Sequence, residues 1–210
     1  MQRAAARATL AAAMSARASR HRIYLAGPEV FLPNAREVGE EKRRIAAEAG
    51  FEGVFPLDNA LDLAGLAKAE QARRISLANE GLMRSCDALI ANLTPFRGVS
   101  MDAGSAFEVG FMRALGRPVA GYTNAVDLHL ERARAFRAGA PLHFDADRPD
   151  VEIEDFDLAE NLMIEIAIRE SGCSVVRNPV ARGHTMTDLA GFRQCLAELQ
   201  RLFAQPGRTP

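Results

Sequence analysis

The sequence has little of what stabilises small secreted proteins or membrane proteins. Its 210 residues include three cysteines, Cys86, Cys173 and Cys195, which are widely spaced and odd in number. They form neither a disulfide framework nor a metal-binding motif, so we expect a reducing compartment and a cytoplasmic protein. No apolar run approaches the roughly 20 residues that span a bilayer. A formal net charge of -1 gives no electrostatic reason to expect nucleic acid or a membrane as a partner.

The motifs of several enzyme classes are also missing. There is no GxGxxG or Walker sequence, and the turn Gly27-Pro28 after the first predicted strand matches neither. Ser100 and Ser105 lack the GxSxG elbow and a nearby histidine, which argues against acyl transfer. We predict no bound metal, because no metal-ligand spacing relates the histidines to one another or to the cysteines. These histidines are His21, His129, His143 and His184.

The length predicts a single domain, residues 22–210, that is large enough to bury a sizeable core. Hydrophobic residues make up 48% of the chain and charged residues 25%, as in ordinary soluble proteins. Residues 1–21 are rich in Ala and Arg, and no acidic residue precedes Glu29. We interpret residues 1–21 as a disordered or loosely helical tail, with a targeting segment or a weak export signal as the alternative.

Strand and helix patterns alternate along the chain, which favours parallel strands joined by right-handed crossovers. We therefore predict a flavodoxin-like or Rossmann-like fold: a doubly wound, five-stranded parallel sheet in a three-layer α/β/α arrangement. A long, partly helical excursion over residues 123–157 interrupts the pattern. The predicted strands cover 22–26, 54–57, 87–93, 118–122 and 174–176, and the predicted helices cover 34–50, 69–85, the segment that Gly116 ends, 158–171 and 187–203.

The most informative stretch runs from Asp87 to Met112. It begins as a continuous apolar run, which is typical of a strand buried on both faces of a parallel sheet. After a loop with Pro and Gly comes a helical segment in which Glu108 has apolar neighbours. Burying a carboxylate costs several kcal/mol unless the group is paired. Helix geometry directs Glu108 over Gly104 and Ser105, whose small size leaves open space above the carboxylate.

Asp102 lies at the junction between this loop and the helix, which brings a second carboxylate near Glu108. The junction follows a central strand, and ligands of open parallel sheets bind where such strands end. A carboxylate pair can divide its roles, one group acting as nucleophile and the other as proton donor, as in retaining glycosidases. The spacing is equally compatible with an ordinary N-cap at Asp102 and a solvent-facing Glu108.

Five other residues are candidates for substrate contacts at the same edge of the sheet. Tyr24 and Phe31 flank the first turn, and each either stacks on a planar ring or belongs to the core. Gly27 permits close approach of a ligand to the backbone. Asp58 ends the second predicted strand, where a turn residue is the alternative interpretation. Asn79 lies on the helix before the central strand, at a position that would ordinarily be exposed.

Three motifs together resemble the nucleoside 2-deoxyribosyltransferase family. The first motif, over residues 23–28, reads IYLAGP. The second joins DALIANL at 87–93 to DAGSAFEVG at 102–110, and its Asp-x-Gly-(x)3-Glu-x-Gly core is the most specific part. The third motif is Asn-Leu-Met at 161–163. They occur in the order expected for the family and cover roughly residues 23–171.

The resemblance implies a role for each matching residue. Glu108 would be the nucleophile, Asp102 the acidic partner near the nucleobase, and Tyr24 the residue that holds the Glu108 carboxylate. Phe31 would line the base pocket. Asn161 would reach into the site of a neighbouring subunit and bind a sugar hydroxyl, so the resemblance implies a homo-oligomer.

The chain departs from the family pattern in three places. Asn79 stands where better-known members carry Asp, and Ala60 stands where some members have a base-contacting Gln. The excursion over residues 123–157 and the segment beyond residue 171 are longer than in compact members. For this reason the base preference is not transferred.

The carboxylate pair and the resemblance lead to one expected function. We expect 2-deoxyribose to move between nucleobases through a covalent deoxyribosyl-glutamate, with net retention and without a cofactor. The substrates would be 2′-deoxynucleosides and free nucleobases, as in nucleotide salvage. One alternative is a 2′-deoxynucleotide N-hydrolase, in which Arg97 helps to bind the phosphate. The other is a nucleotide-binding module that keeps the fold without turnover.

Overall fold

The computed structural model describes residues 20–139, 151–181 and 183–205, so most of the predicted tail lies outside the described residues. The strands are β1 (Arg22–Ala26), β2 (Glu52–Val54), β3 (Ala88–Asn92), β4 (Val119–Thr123) and β5 (Val175–Arg177). The helices are α1 (Ala35–Glu48), α2 (Lys68–Arg84), α3 (Ala103–Ala114), α4 (His129–Gly139), α5 (Leu162–Glu170) and α6 (Ala190–Phe203).

All strand pairs are parallel, and the sheet has the order β2-β1-β3-β4-β5. Helices α1 and α6 contact each other on one face, while α2, α3 and α5 form the other layer. The predicted doubly wound, three-layer fold is therefore confirmed. Because the chain passes from β1 to β2 and then returns to β3, the strand order reverses between β1 and β3, which is where this architecture forms its ligand crevice.

The core lies on both faces of β3 and β4, whose residues are all buried. Neighbouring residues of β4 meet opposite helix layers. A Cβ at Gly121 would lie 2.7 Å from Ile168 of α5, whereas a Cβ at Gly191 of α6 would lie 2.9 Å from Tyr122. The two glycines therefore let α5 and α6 pack close to β4.

Three predicted boundaries were wrong. Helix α5, predicted from residue 158, begins at Leu162 because Asn161 caps it. The second strand was predicted at 54–57, but β2 ends at Val54 and a short 3-10 turn covers Pro56–Asp58. Proline has no N–H for a strand ladder. In addition, the Asp58 carboxylate accepts the Phe55 N–H at 2.9 Å, which stabilises the turn.

The third wrong boundary is the N-cap predicted at Thr187 for the last helix. Helix α6 begins at Ala190, whose N–H donates to Asp188 Oδ1 at 2.9 Å. Asp188 also accepts a hydrogen bond from Asn178 Nδ2 at 2.8 Å. Asp188 is thus held by Asn178, just beyond β5, a contact that the helical pattern of the last segment does not contain.

Candidate active site

Tyr24 and Glu108 meet between β1 and α3. The Tyr24 side chain is buried, and its hydroxyl donates a hydrogen bond of 2.6 Å to Glu108 Oε1. Burial raises the pKa of Tyr24 well above its usual value, and the nearby Glu108 charge adds to the effect. Tyr24 therefore remains protonated and donates to the carboxylate, which fixes the orientation of the Glu108 side chain.

Burial also raises the pKa of Glu108 to about 7. The hydrogen bond from Tyr24 opposes this increase, and the negative charge of Asp102 adds to it. Near neutral pH a large fraction of Glu108 is ionised, although its carboxylate is poorly solvated. A carboxylate in this state is a better nucleophile than one fully surrounded by water.

Asp102 is the N-cap of α3. Its Oδ2 accepts hydrogen bonds from the Ser105 N–H at 3.0 Å and from the Ser105 hydroxyl at 3.2 Å. Oδ1 makes no hydrogen bond with the described part of the chain. The alternative N-cap interpretation of Asp102 is therefore right, but its companion, a solvent-facing Glu108, is wrong. Asp102 caps the helix and still acts electrostatically on Glu108.

An open cavity of about 390 Å³ lies beside Glu108, between α2 and α3. Gly104 lies in its wall, where the helical spacing predicted open space above the carboxylate. The wall is mostly apolar and carries few polar groups besides Glu108, which suits a flat ring with a small number of hydrogen-bonding atoms. The lining residues are Ala72, Ile75, Ser76, Asn79, Met83, Gly104, Phe107 and Glu108.

Asn79 is the polar side chain of this wall whose orientation can be inferred. Asn59 Nδ2 lies 3.5 Å from the Pro56 carbonyl oxygen and 3.2 Å from Asn79 Oδ1. Because a carbonyl can only accept, Asn59 presents its amide nitrogen, and Asn79 must present its oxygen to Asn59. The Nδ2 group of Asn79 therefore remains available as a donor in the cavity. Asn59 is thus the residue that sets this orientation.

Phe31 and Asp58 do not line this cavity. Phe31 is 51% exposed and stacks on Phe96, with the ring centroids 5.3 Å apart. The Arg97 guanidinium lies over both rings, 4.7 Å from Phe31 and 4.6 Å from Phe96. Asp58 forms an ion pair with Arg43 in addition to its turn contact, so both of its oxygens have partners within the chain.

Gly27 and Asn161 also lie outside the cavity wall. A Cβ at Gly27 would collide with the Glu29 carboxylate, so glycine is required here by packing inside the chain. Asn161 is the N-cap of α5: its Oδ1 accepts the Met163 N–H at 3.0 Å, and its Nδ2 donates to Glu154 at 2.7 Å. To bind a sugar hydroxyl, the Asn161 amide would have to exchange one of these partners.

Three buried carboxylates, Glu29, Glu160 and Glu165, escaped the sequence analysis. Glu29 pairs with Lys42 in the core, and Glu160 contacts the loop before Asp102. The burial of Lys42 is predictable from the sequence, because Lys42 lies on the apolar face of α1 with Val38 and Ile45. The burial of Glu160 is not predictable in this way, because its partners are far away in the sequence.

The described residues contain no group of three or more His, Cys, Asp or Glu side chains placed to hold a metal ion. Within the same ranges, the helices are too short or too polar to cross a bilayer.

Comparisons with known proteins bear on this arrangement. The profile of the family described as Nucleoside 2-deoxyribosyltransferase matches residues 23–163. An uncharacterized protein of Schizosaccharomyces pombe is 37% identical over 166 residues, which cover 71% of this chain and 78% of the relative. The solved structure of a 2-desoxiribosyltransferase from Leishmania mexicana matches with a TM-score of 0.53 and 30% identity, over 69% of this chain and 85% of the other.

A conserved protein from Enterococcus faecalis V583 shares the fold, with a TM-score of 0.51 and 24% identity over 87% of this chain and 99% of the other. The family profile spans β1 to the start of α5 and includes both carboxylates. The chain belongs to the nucleoside 2-deoxyribosyltransferase family.

Proposed function

We propose that this protein transfers 2-deoxyribose between nucleobases and that Glu108 carries the sugar as a covalent ester. The observation that carries the proposal is the partly buried Glu108 carboxylate, which Tyr24 orients at the wall of an open cavity. Family membership supports a nucleoside as the substrate. The mostly apolar wall suits a planar base.

In the first half-reaction, a Glu108 oxygen attacks C1′ while the bond between C1′ and the base nitrogen breaks. The electron pair of that bond leaves with the base, and Asp102 supplies a proton to a ring nitrogen, directly or through water. The transition state resembles an oxocarbenium ion, which the Glu108 carboxylate stabilises. Tyr24 keeps the attacking carboxylate aligned.

In the second half-reaction, a ring nitrogen of a second base attacks C1′ from the face that the first base left. The ester oxygen departs with its electron pair and regenerates Glu108, while the N–H proton of the acceptor base returns to Asp102. Two displacements at C1′ give net retention. Water in place of the second base would yield free deoxyribose.

We also propose that the active form is a homo-oligomer in which Asn161 contributes to a neighbour's site. Apolar side chains on α2, α3 and α5 are exposed around the cavity and Asn161, and a second copy of the chain would cover them. Sedimentation velocity tests whether the chain forms such an oligomer. The side chains are Ile75, Phe107, Met163 and Ile166.

One observation favours a second candidate, a 2′-deoxynucleoside 5′-phosphate N-hydrolase. Arg97 is exposed on the loop after β3 and forms no ion pair with the described residues. A free guanidinium stacked on two rings is suited to binding a phosphate. This candidate shares Glu108 and the cavity, so the substrate and the acceptor distinguish it.

Incubation with deoxyinosine, with and without free adenine, separates the candidate functions. A transferase forms deoxyadenosine and releases hypoxanthine in amounts that depend on adenine. A hydrolase releases hypoxanthine without adenine, and the nucleotide hydrolase prefers deoxyinosine 5′-phosphate. A binding module releases nothing, which would contradict both enzymatic proposals.

Replacing Asp102 by Asn is expected to separate helix capping from catalysis. Asn is as good an N-cap as Asp, so the free energy of unfolding should change by less than about 1 kcal/mol. Transfer should fall about 10²- to 10⁴-fold, because the proton donor is lost. Urea unfolding and product chromatography measure the two effects. Full activity of Asp102→Asn would remove Asp102 from proton transfer.

Replacing Asn79 by Asp is expected to shift the pH dependence of transfer. The new carboxylate keeps its contact with Asn59 and places a second negative charge in the cavity of Glu108. This charge should move the acidic limb of the pH profile of kcat/KM to higher pH by about one unit. Asn34→Asp, at an exposed position, is the control. If the acidic limb of the pH profile lay at the same pH in both variants, Asn79 would not face Glu108.

A further inference from the structure

A buried carboxylate outside the cavity, Glu160, ties two parts of the proposed site together. Its side chain is fully buried. Oε1 accepts hydrogen bonds from the Ser100 hydroxyl and, at 2.9 Å, from the Asn161 N–H. Oε2 accepts the Met101 N–H at 3.2 Å. One carboxylate therefore joins the residues before Asp102 to the N-cap of α5.

Helix α4 supplies the positive charge that neutralises Glu160. Arg132 Nη2 lies 3.3 Å from Oε2, and the same guanidinium donates through Nε to the Val99 carbonyl at 2.7 Å. It also donates to the Ala159 carbonyl at 2.9 Å. The His129 ring lies close as well, with Nδ1 3.5 Å from Oε1. The excursion that interrupts the sequence pattern thus reaches the loop between β3 and α3.

This loop decides where the two proposed catalytic carboxylates lie. Residues 99–101 lead directly into Asp102, which caps α3, and Glu108 follows on that helix. Loosening residues 99–101 would let Asp102 move relative to Glu108. A displacement of about 1 Å in a catalytic group can lower a rate about 10²-fold.

Glu165 provides a useful contrast. It is also buried, but it accepts the Ala159 N–H at 2.7 Å and a hydrogen bond from Arg169 at 2.5 Å. It makes no hydrogen bond with residues 99–102. Glu160 and Glu165 are therefore both buried, but of the two only Glu160 is hydrogen-bonded to the residues before Asp102.

We propose that Glu160 is a positioning residue: held by Arg132, it fixes residues 99–101 so that Asp102 and Glu108 keep their reactive arrangement, and it links this loop to Asn161. It acts through Asp102 and touches no substrate. The proposal rests on the proposed function, because that function gives Asp102 and Glu108 their catalytic roles.

The test replaces Glu160 by Gln, which keeps the size and removes the charge. We expect kcat for transfer to fall about 10- to 100-fold with little change in KM. We also expect a lower pKa for Glu108, because a mobile Asp102 raises it less. Titration of carboxyl-labelled protein by ¹³C NMR measures this pKa, with the Glu108 signal assigned from its absence in Glu108→Gln.

Glu165→Gln is the matched control, and it should leave both kcat and the titration of Glu108 unchanged. If Glu160→Gln does not fold, Ser100→Ala decides, since it keeps the ion pair and should change both readouts in the same direction by less. The proposal would be overturned if kcat and the pKa of Glu108 were unchanged in the folded test variant. It would also be overturned if Glu165→Gln changed both quantities to the same extent. Because the titration needs no turnover, a shifted Glu108 pKa in a protein that releases no base would support the positioning role and contradict the proposed function.

Discussion

Replacing Glu108 by Gln is expected to reduce transfer of deoxyribose by about 10⁴-fold or more, the scale seen when a catalytic nucleophile is removed. The amide cannot form the ester with C1′. The Tyr24 hydroxyl can still donate to the amide oxygen, and the side chain keeps its size. The variant should therefore fold with the cavity intact. Single-turnover release of hypoxanthine from deoxyinosine measures the loss.

The matched control for this variant is Glu41→Gln. Glu41 lies on α1, on the opposite face of the sheet, and pairs with Arg44 at the surface. Its replacement should leave the rate unchanged. Retention of most of the activity by Glu108→Gln would remove Glu108 from the proposed mechanism.

The same substitution should change how stability depends on pH. The pKa of Glu108 is about 7 in the folded protein and near 4.5 in an ordinary glutamate. Between these pH values the folded protein binds a proton that the unfolded chain has released. The free energy of unfolding of the wild type therefore falls as pH rises across this range, by about 3 kcal/mol at most.

Glu108→Gln lacks this titration, so its stability relative to the wild type should increase with pH. Urea unfolding of both proteins near pH 5 and near pH 8 measures the difference. Parallel pH profiles would contradict the raised pKa, whatever the effect of the substitution on activity.

The part of the site that the sequence could predict lies within one helix. The period of α3 is enough to direct Glu108 toward Gly104, and the cavity lies there. The contact between Tyr24 and Glu108 spans 84 residues. It depends on β1 pairing with β3 and on α3 covering that pair, which no spacing within either segment encodes. The resemblance alone supplied the link between them.

The rest could not be predicted because the partners are distant in sequence. Met101 and Glu160 are 59 residues apart in the sequence, and they meet only in the folded chain. Asp58 is a candidate substrate contact because it ends the second predicted strand, and the resemblance places Phe31 in the base pocket. In the structure Asp58 pairs with Arg43, and Phe31 stacks on Phe96. The sequence pattern does not distinguish a strand-end residue that stabilises a turn from one that binds a ligand, and only the packed neighbours decide between them.

The largest expected effect on stability comes from replacing Lys42 by Met. Lys42 and Glu29 are both fully buried, and Lys42 Nζ lies 2.6 Å from Glu29 Oε1. The same oxygen accepts hydrogen bonds from Asn92 Nδ2 and the Tyr122 hydroxyl, each at 3.0 Å. Removing the ammonium leaves a buried carboxylate without its counter-charge. We expect a loss of about 3–5 kcal/mol in the free energy of unfolding at neutral pH.

The loss should depend on pH in a way that identifies its cause. Without Lys42, a charged Glu29 is buried without a counter-charge, so the folded variant favours a bound proton more than the unfolded chain does. Stability of Lys42→Met should therefore decrease as pH rises from about 4.5, whereas a loss caused by packing alone would not vary with pH. Urea unfolding near pH 5 and near pH 8 distinguishes the two.

The double variant Glu29→Gln/Lys42→Met completes the test, because it removes both charges and keeps two side chains of similar length. The Gln can still accept from Asn92 and Tyr122, and the Met sulfur can lie near the rings that Lys42 contacts, Tyr122 and Phe192. We expect the double variant to recover most of the stability lost by Lys42→Met and to lose its pH dependence. A double variant no more stable than the single one would show that the ammonium acts through packing around the two rings, and that the charge of Glu29 is not what makes Lys42 necessary.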